Sequence, residues 1–371
     1  MLKRLLAVVV FILVVSAFVI PFETAAAQSS SWRPVTVIDD DGAVVHILQR
    51  PTRIISLAPS NTVIAYGLGL GSELVGGLGN EYVCSTIVPI ASNLTSVGSY
   101  YGLDYDEILA LKPQLILASG INSEQQVEKL RSMNLTVIVL DPTNISGVER
   151  DIVLVGNATG TQAKAQEIVA WMNTVISQVQ SRLPSNKVSA FYLLDTSGGY
   201  WTAGNGTFMN SMIELAGGTN VASGVEGWGT ISPESLLAGR PQTLLLDQYV
   251  NASVVGQAPF NAMPAVKDGR VYVLPHEGWF DQPTYRLIYG IVWLAEVLHP
   301  SAMKGYVPPQ CPAYTGTEVI PQPKSLVPAQ SSVPGYVEAA GVIVVLALLG
   351  VLSYWYLRKK ADRVKQNESS K

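Results

Sequence analysis

Apolar positions through the middle of this chain come in short runs, at residues 53–57, 115–118, 136–140, 188–194, 244–246 and 271–274. Between them lie stretches with the i, i+3, i+4 period of amphipathic helices, at 62–67, 124–133, 209–216 and 285–298. Runs that are apolar on both faces suit strands buried in a parallel sheet, so the alternation predicts βα units. A leading hairpin is expected over 35–47, turning at Asp40-Asp41-Gly42. One amphipathic pattern, 161–183, continues unbroken to Pro184, and a helix of about 34 Å there could bridge two domains.

The chain also contains a concealed repeat. Placing Pro113 over Pro241 brings 100–117 onto 228–245, with Ser232 on Asp104, Glu234 on Asp106 and Arg240-Pro241-Gln242 on Lys112-Pro113-Gln114. Each copy reads as a short helix running into a strand. Asp104 and Ser232 are good N-caps, Glu107 stands at the capping-box position, and Pro233 opens the second helix. Two lobes of like topology follow.

The ends set the compartment. Lys3 and Arg4 precede the apolar run 5–20, and Ala25, Ala26 and Ala27 follow Pro21, the order of a secretory signal (1–27) cleaved near Ala27. The alternative is an uncleaved membrane helix, for which the run is short against a span of about twenty residues. Residues 339–357 are long enough, at about 1.5 Å per residue, to cross a core of about 30 Å. The predicted transmembrane helix (337–357) ends in Tyr354, Trp355 and Tyr356, and the basic tail 358–371 places the C-terminus in the cytoplasm. Between 304 and 336 the chain is rich in Pro and Ser, which reads as a semi-extended stalk. The organisation expected is an N-terminal lobe (28–160), an interlobe helix (161–184), a C-terminal lobe (185–303), stalk, anchor and tail.

Six sequons in the predicted external part, at Asn93, Asn134, Asn144, Asn157, Asn205 and Asn251, suggest a glycosylated exterior and, with the single anchor, an archaeal cell surface. Over 28–336, 16 Lys and Arg stand against 24 Asp and Glu, a balance of −8 that argues against nucleic acid as a partner. Two cysteines are too few for a disulfide scaffold. In an oxidising compartment Cys84 and Cys311 are candidates to pair and tie the stalk to the first lobe. An enzyme would need a nucleophile and base or a metal cluster, and His46, His276 and His299 are too few and too scattered. No cofactor or resident metal is expected.

Trp201, Trp228 and Trp279 stand in Gly-flanked segments at element ends rather than in periodic stripes. Aromatic residues at the carboxyl ends of parallel strands lie where open α/β sheets bind ligands. With Tyr82, Tyr100, Tyr101 and Tyr249 they could line a cleft for a large planar or partly apolar ligand; capping each lobe's own core is the other use of such rings.

The motifs Arg53-Ile54-Ile55-Ser56-Leu57-Ala58-Pro59-Ser60-Asn61-Thr62, Gly102 to Pro113 and Trp228 to Leu237, in that order after a hairpin, resemble the class III substrate-binding proteins of ABC importers for iron complexes and cobalamin. The resemblance covers about 35–300. It implies an α/β fold of two Rossmann-like lobes joined by a long rigid helix, with little hinge motion and the ligand held between the lobes. It also implies a monomer serving an ABC permease and its ATPase, docked through Asp106 and Glu234, with Glu107 as an alternate. Against the cobalamin binders, Gly278 and Gln282 replace an Asp and an Arg that flank the Trp279-Phe280 pair. The expected ligand contacts are therefore Ser60, Asn61, the aromatic set above, Phe280, Asp281 and Arg286. A corrinoid leads, ahead of a ferric siderophore or haem, because the cleft offers few cationic groups. A surface-layer or adhesion glycoprotein is the rival reading.

Overall fold

The computed structural model describes residues 32–78, 88, 93–275, 277–313 and 318–327. The predicted signal, anchor and cytoplasmic tail, together with Tyr82, Cys84 and His276, lie outside the described residues. Among the described residues no helix is long and apolar enough to cross a membrane.

The leading hairpin pairs β1 (Val35–Ile38) with β2 (Val44–Ile47) in antiparallel register. Gly42 supplies the left-handed residue of the turn at φ +77°. The first lobe follows as β3 (Ile54–Ser56), α1 (Pro59–Gly67), β4 (Leu74–Gly77), β5 (Thr95–Ser96), a small β6 (Gly98–Ser99) and β7 (Gly102–Leu103) hairpin, α2 (Tyr105–Ala110), β8 (Leu115–Ser119), α3 (Glu124–Ser132) and β9 (Val137–Leu140). Its five-stranded sheet has the order β5-β4-β3-β8-β9, all pairs parallel. Strand β8 is buried along its length, as its continuous apolar run requires.

Helix α4 (Ile145–Thr159) leads into α5 (Gln162–Arg182), 21 residues with no break. The second lobe comprises β10 (Val188–Leu193), β11 (Tyr200–Ala203), α6 (Phe208–Leu215), β12 (Gly218–Asn220), β13 (Trp228–Ile231), α7 (Pro233–Gly239), β14 (Thr243–Leu246), α8 (Pro264–Lys267), β15 (Val271–Val273), α9 (Leu287–Leu298) and α10 (Pro300–Met303). Its parallel sheet has the order β12-β10-β14-β15.

The lobes are joined by more than the connecting chain. One hydrophobic core includes Val37 and Ile152 of the first half, Met172 and Val175 of α5, and Tyr285 and Tyr289 of the second half. Trp171 packs on Tyr289 at 5.5 Å between ring centroids, and Tyr289 packs on Trp279 at 5.7 Å. Gly67 meets the Tyr285 ring so closely that a Cβ there would overlap it.

The sequence repeat is a structural repeat down to single hydrogen bonds. Asp104 accepts from the Glu107 backbone N–H and Ser232 from that of Ser235, each capping its helix. Lys112 and Arg240 both adopt the left-handed region, at φ +48° and +44°, and end those helices before a proline. Next in each copy, Gln114 accepts from the Thr52 N–H and Gln242 from the Ser189 N–H, closing the neighbouring strand onto the unit.

Two expectations change. The described part of the 304–336 segment is not a free stalk: Trp171 Nε1 donates to the Pro309 carbonyl, and Leu326 N–H donates to Val271 O on the edge of the second sheet. Specific hydrogen bonds override the composition that suggested a solvated tether. Cys311 is buried; Cys84, its candidate partner, lies outside the described residues. Asn157 is half-buried in α4 with Thr159 of its sequon fully buried, whereas Asn93, Asn134, Asn144, Asn205 and Asn251 are exposed. The interior face of an amphipathic helix claims Thr159 for packing.

Candidate functional site

In each sheet the chain reverses direction of growth beside its first strand, between β3 and β8 in one lobe and between β10 and β14 in the other. The crevice at the carboxyl ends of such a strand pair is the ligand position of open α/β sheets. In the first lobe its strand-end carbonyls are taken by buried side chains. Asn61 is buried and its Nδ2 donates to the Leu117 and Ala118 carbonyls, while Asn122 Nδ2 donates to Leu57 O. Ser60 is buried as well. Asn61 thereby holds α1 to the sheet, and Asn122 ties the loop after β8 to the end of β3.

The second lobe is different. Strands β11 and β13 form an antiparallel ribbon in which Trp201 pairs with Thr230 and Ala203 with Trp228. Directly paired residues share a face and alternate residues return to it, so Trp201 and Trp228 stand diagonally on one side. Both are partly exposed, at 38% and 42%. The ribbon is fixed from below by Thr202, whose hydroxyl donates to Tyr192 O at 2.6 Å. Trp228 is steadied edge-on against Phe208 at 5.4 Å, and Trp201 Nε1 donates to Ser197 O. An exposed indole pair on a braced ribbon is a platform for a flat or apolar surface.

At the β10/β14 switch, Asp247 is buried. It accepts from the Tyr192 hydroxyl at 2.8 Å and from the Tyr249 backbone N–H at 3.1 Å. Burial raises its carboxyl above the usual range; the Tyr192 hydrogen bond opposes this and the charge of Asp195 adds to it. Tyr192 is raised well above a free phenol by burial, then by Asp247 and Asp281. Asp195, fully exposed, is lowered by hydrogen bonds from the Ser197 and Thr196 backbone. Tyr249 is exposed on the following turn, at 77%.

Of the remaining candidates, Tyr101 is exposed at the β6–β7 turn, Tyr100 is half-buried against the first lobe's core, and Asp281 is exposed. Three are corrected. Trp279, Phe280 and Arg286 are interior residues: the indole packs on Tyr289, Phe280 on Trp293, and both Trp279 Nε1 and Arg286 donate to Glu318. Returning chain at 318 covers the place where a cleft was expected. The Glu318 contact has no local sequence signal, and neither has the ribbon that pairs Trp201 and Trp228.

In each repeat unit an acid is exposed in the first helical turn, Asp106 in one and Glu234 in the other, and Glu107 is half-buried. Each exposed acid is followed three residues later by an exposed leucine, Leu109 and Leu237.

Residues 54–277 match the model of the periplasmic binding protein family, and the chain belongs to that family. It binds a solute for an ABC transporter and is not an enzyme. An ABC transporter substrate-binding lipoprotein of Bacillus subtilis, YvrC, is 29% identical over 76% of this chain and 91% of its own length. The vitamin B12-binding protein of Yersinia pestis is 27% identical over 65% of this chain and 84% of its own. The crystal structure of the vitamin B12-binding protein BtuF of Vibrio cholerae superimposes with a TM-score of 0.56 and 26% identity, over 68% of this chain and 98% of that one.

Proposed function

We propose that this chain is a membrane-tethered extracellular receptor that captures a metal chelate, a cobalamin-type corrinoid ahead of a ferric siderophore, and delivers it to an ABC permease. The observation that carries the reading is the pair Trp201 and Trp228, exposed on one face of a braced ribbon beside the switch point of the second sheet. Two indoles offer a large area for the apolar flank of a macrocycle. The described loops at the strand ends hold little positive charge, which disfavours ligands with several carboxylates, haem included. The B12-binding relatives agree with this order of preference. Asp106 and Glu234, one per lobe and matched in the repeat, are the proposed permease contacts, and 337–357 is the proposed anchor.

The test is titration of the full chain in detergent with cyanocobalamin, a ferric hydroxamate and haem, following tryptophan fluorescence. Saturable quenching by cyanocobalamin at micromolar concentration or below is expected. Saturation by haem alone would overturn the corrinoid assignment, and silence towards all three would favour a surface-layer glycoprotein.

A further inference from the structure

Helices α2 and α7 each bury one hydrophobic residue completely, Ile108 and Leu236 at matched places of the repeat. What they leave outside is alike in chemistry as well. At steps of three residues the first copy exposes Asp106, Leu109 and Lys112, and the second exposes Glu234, Leu237 and Arg240. The two leucines are 44% and 41% exposed. Among the described residues none of the four charged groups enters an ion pair. Burial explains the inward match; the outward one has no such cause.

The two bases are the sharper case. Lys112 and Arg240 lie in the left-handed region, at φ +48° and +44°, where a Cβ is unfavourable and the backbone prefers glycine. The other non-glycine residue of positive φ among the described residues is Asn134, a type that tolerates it. A cation near a helix C-terminus gains from the dipole, and a residue of the last turn takes that gain without strain. Neither helix carries a base in its last turn. Both copies place it instead on the strained, exposed residue that follows. Strain kept where glycine would relieve it points to a use outside the fold.

We propose that Lys112 and Arg240 are permease contacts, so that each lobe docks through an acid, a leucine and a base in series. The partner surface then presents the complement at each place: a cation, an apolar floor and a carboxylate. The proposal rests on the receptor reading above and adds an acidic, apolar-floored surface to what the permease must offer. Opposite charges at the two ends of one short helix give the contact a direction, because a reversed seating sets like charges face to face. The leucine between them loses its water on docking and slows release.

The test places the full chain in proteoliposomes with an ABC permease and ATPase of the same organism whose ATP hydrolysis the wild-type receptor stimulates. Lys112→Gly combined with Arg240→Gly should raise the receptor concentration for half-maximal stimulation by about tenfold or more. The same variant should keep or raise the melting temperature, because glycine relieves the left-handed residues. Lys112→Glu with Arg240→Glu should weaken docking further, by about a hundredfold, while the charge-keeping exchange Lys112→Arg with Arg240→Lys stays within about threefold of wild type. Leu109→Ser with Leu237→Ser should speed dissociation and leave association nearly unchanged. Wild-type docking by the glycine, glutamate or serine variant would overturn the proposal. So would a melting temperature that falls by more than about 5 °C in the glycine variant, which would return both bases to the fold. Either result leaves chelate capture intact. If the wild-type receptor stimulates no ABC permease of its organism, the receptor reading itself falls.

Discussion

Arg286 and Glu318, 32 positions apart in sequence, meet at 2.7 Å with the guanidinium 2% and the carboxylate 11% exposed. The same Glu318 oxygen accepts from Trp279 Nε1 at 3.0 Å. A segment past the last helix thus supplies the counter-charge for an arginine inside the second lobe.

Removing that carboxylate leaves a buried cation without its partner. Glu318→Ala is expected to destabilise the folded chain by about 3 kcal/mol or more, because a broken buried pair costs far more than its net worth when intact. Chemical denaturation followed by tryptophan fluorescence measures it; a change under about 1 kcal/mol would show that the strap is ornamental to stability.

Asp151 gives a pH dependence of opposite sign to the usual carboxylate. Its side chain is sealed, and burial, with Asp40 adding to it and Arg150 opposing, raises it from 3.8 to about 8. The folded state therefore holds a proton that the unfolded state has lost, so this group's contribution to stability falls as pH rises from about 4 to about 8 and is level above that. The slope is at most about 1.4 kcal/mol per pH unit. Asp151→Asn should flatten the stability profile across that window and raise the melting temperature at pH 8. A parallel profile for the variant would refute the assignment.

The two ribbon tryptophans should act together. Trp201→Ala and Trp228→Ala are each expected to weaken chelate binding by about tenfold or more, with Trp228→Phe retaining most of the affinity because the edge contact with Phe208 survives. Isothermal titration gives the affinities. Wild-type binding by the double alanine variant would place the ligand elsewhere.

Asp106→Ala and Glu234→Ala separate docking from capture. Both acids are exposed, so loss of either costs its helix only the dipole interaction of about 0.3 to 1 kcal/mol. Chelate affinity should stay unchanged while receptor-stimulated ATP hydrolysis by the reconstituted transporter falls by about tenfold or more. Equal loss in both assays would mean that these carboxylates support the fold instead.

The sheets, the long helix and the repeat were legible because each leaves a local trace. Buried strands such as 115–118 are continuous apolar runs, and Lys112-Pro113-Gln114 and Arg240-Pro241-Gln242 carry their turn chemistry in three residues. Strands β4 and β12 were not legible: Leu74–Gly77 and Gly218–Asn220 are glycine-containing and short, without the β-branched run that marks a strand. At the candidate site, local reading singled out Trp201 and Trp228 but gave no sign of their pairing. It misplaced Trp279 and Arg286, because what buries them is a glutamate more than thirty residues further along, and composition near Glu318 suggests only a solvated tether.

The aromatic stack from Trp171 through Tyr289 to Trp279 ties the connecting helix to the second half within a core that also takes in the first. Rotating one half against the other would open that core to water, a cost that opposes clamshell closure on a ligand. With the halves so held, a transporter would gauge occupancy from the cargo itself, or from the few side chains that cargo displaces at the mouth, rather than from a clamshell angle.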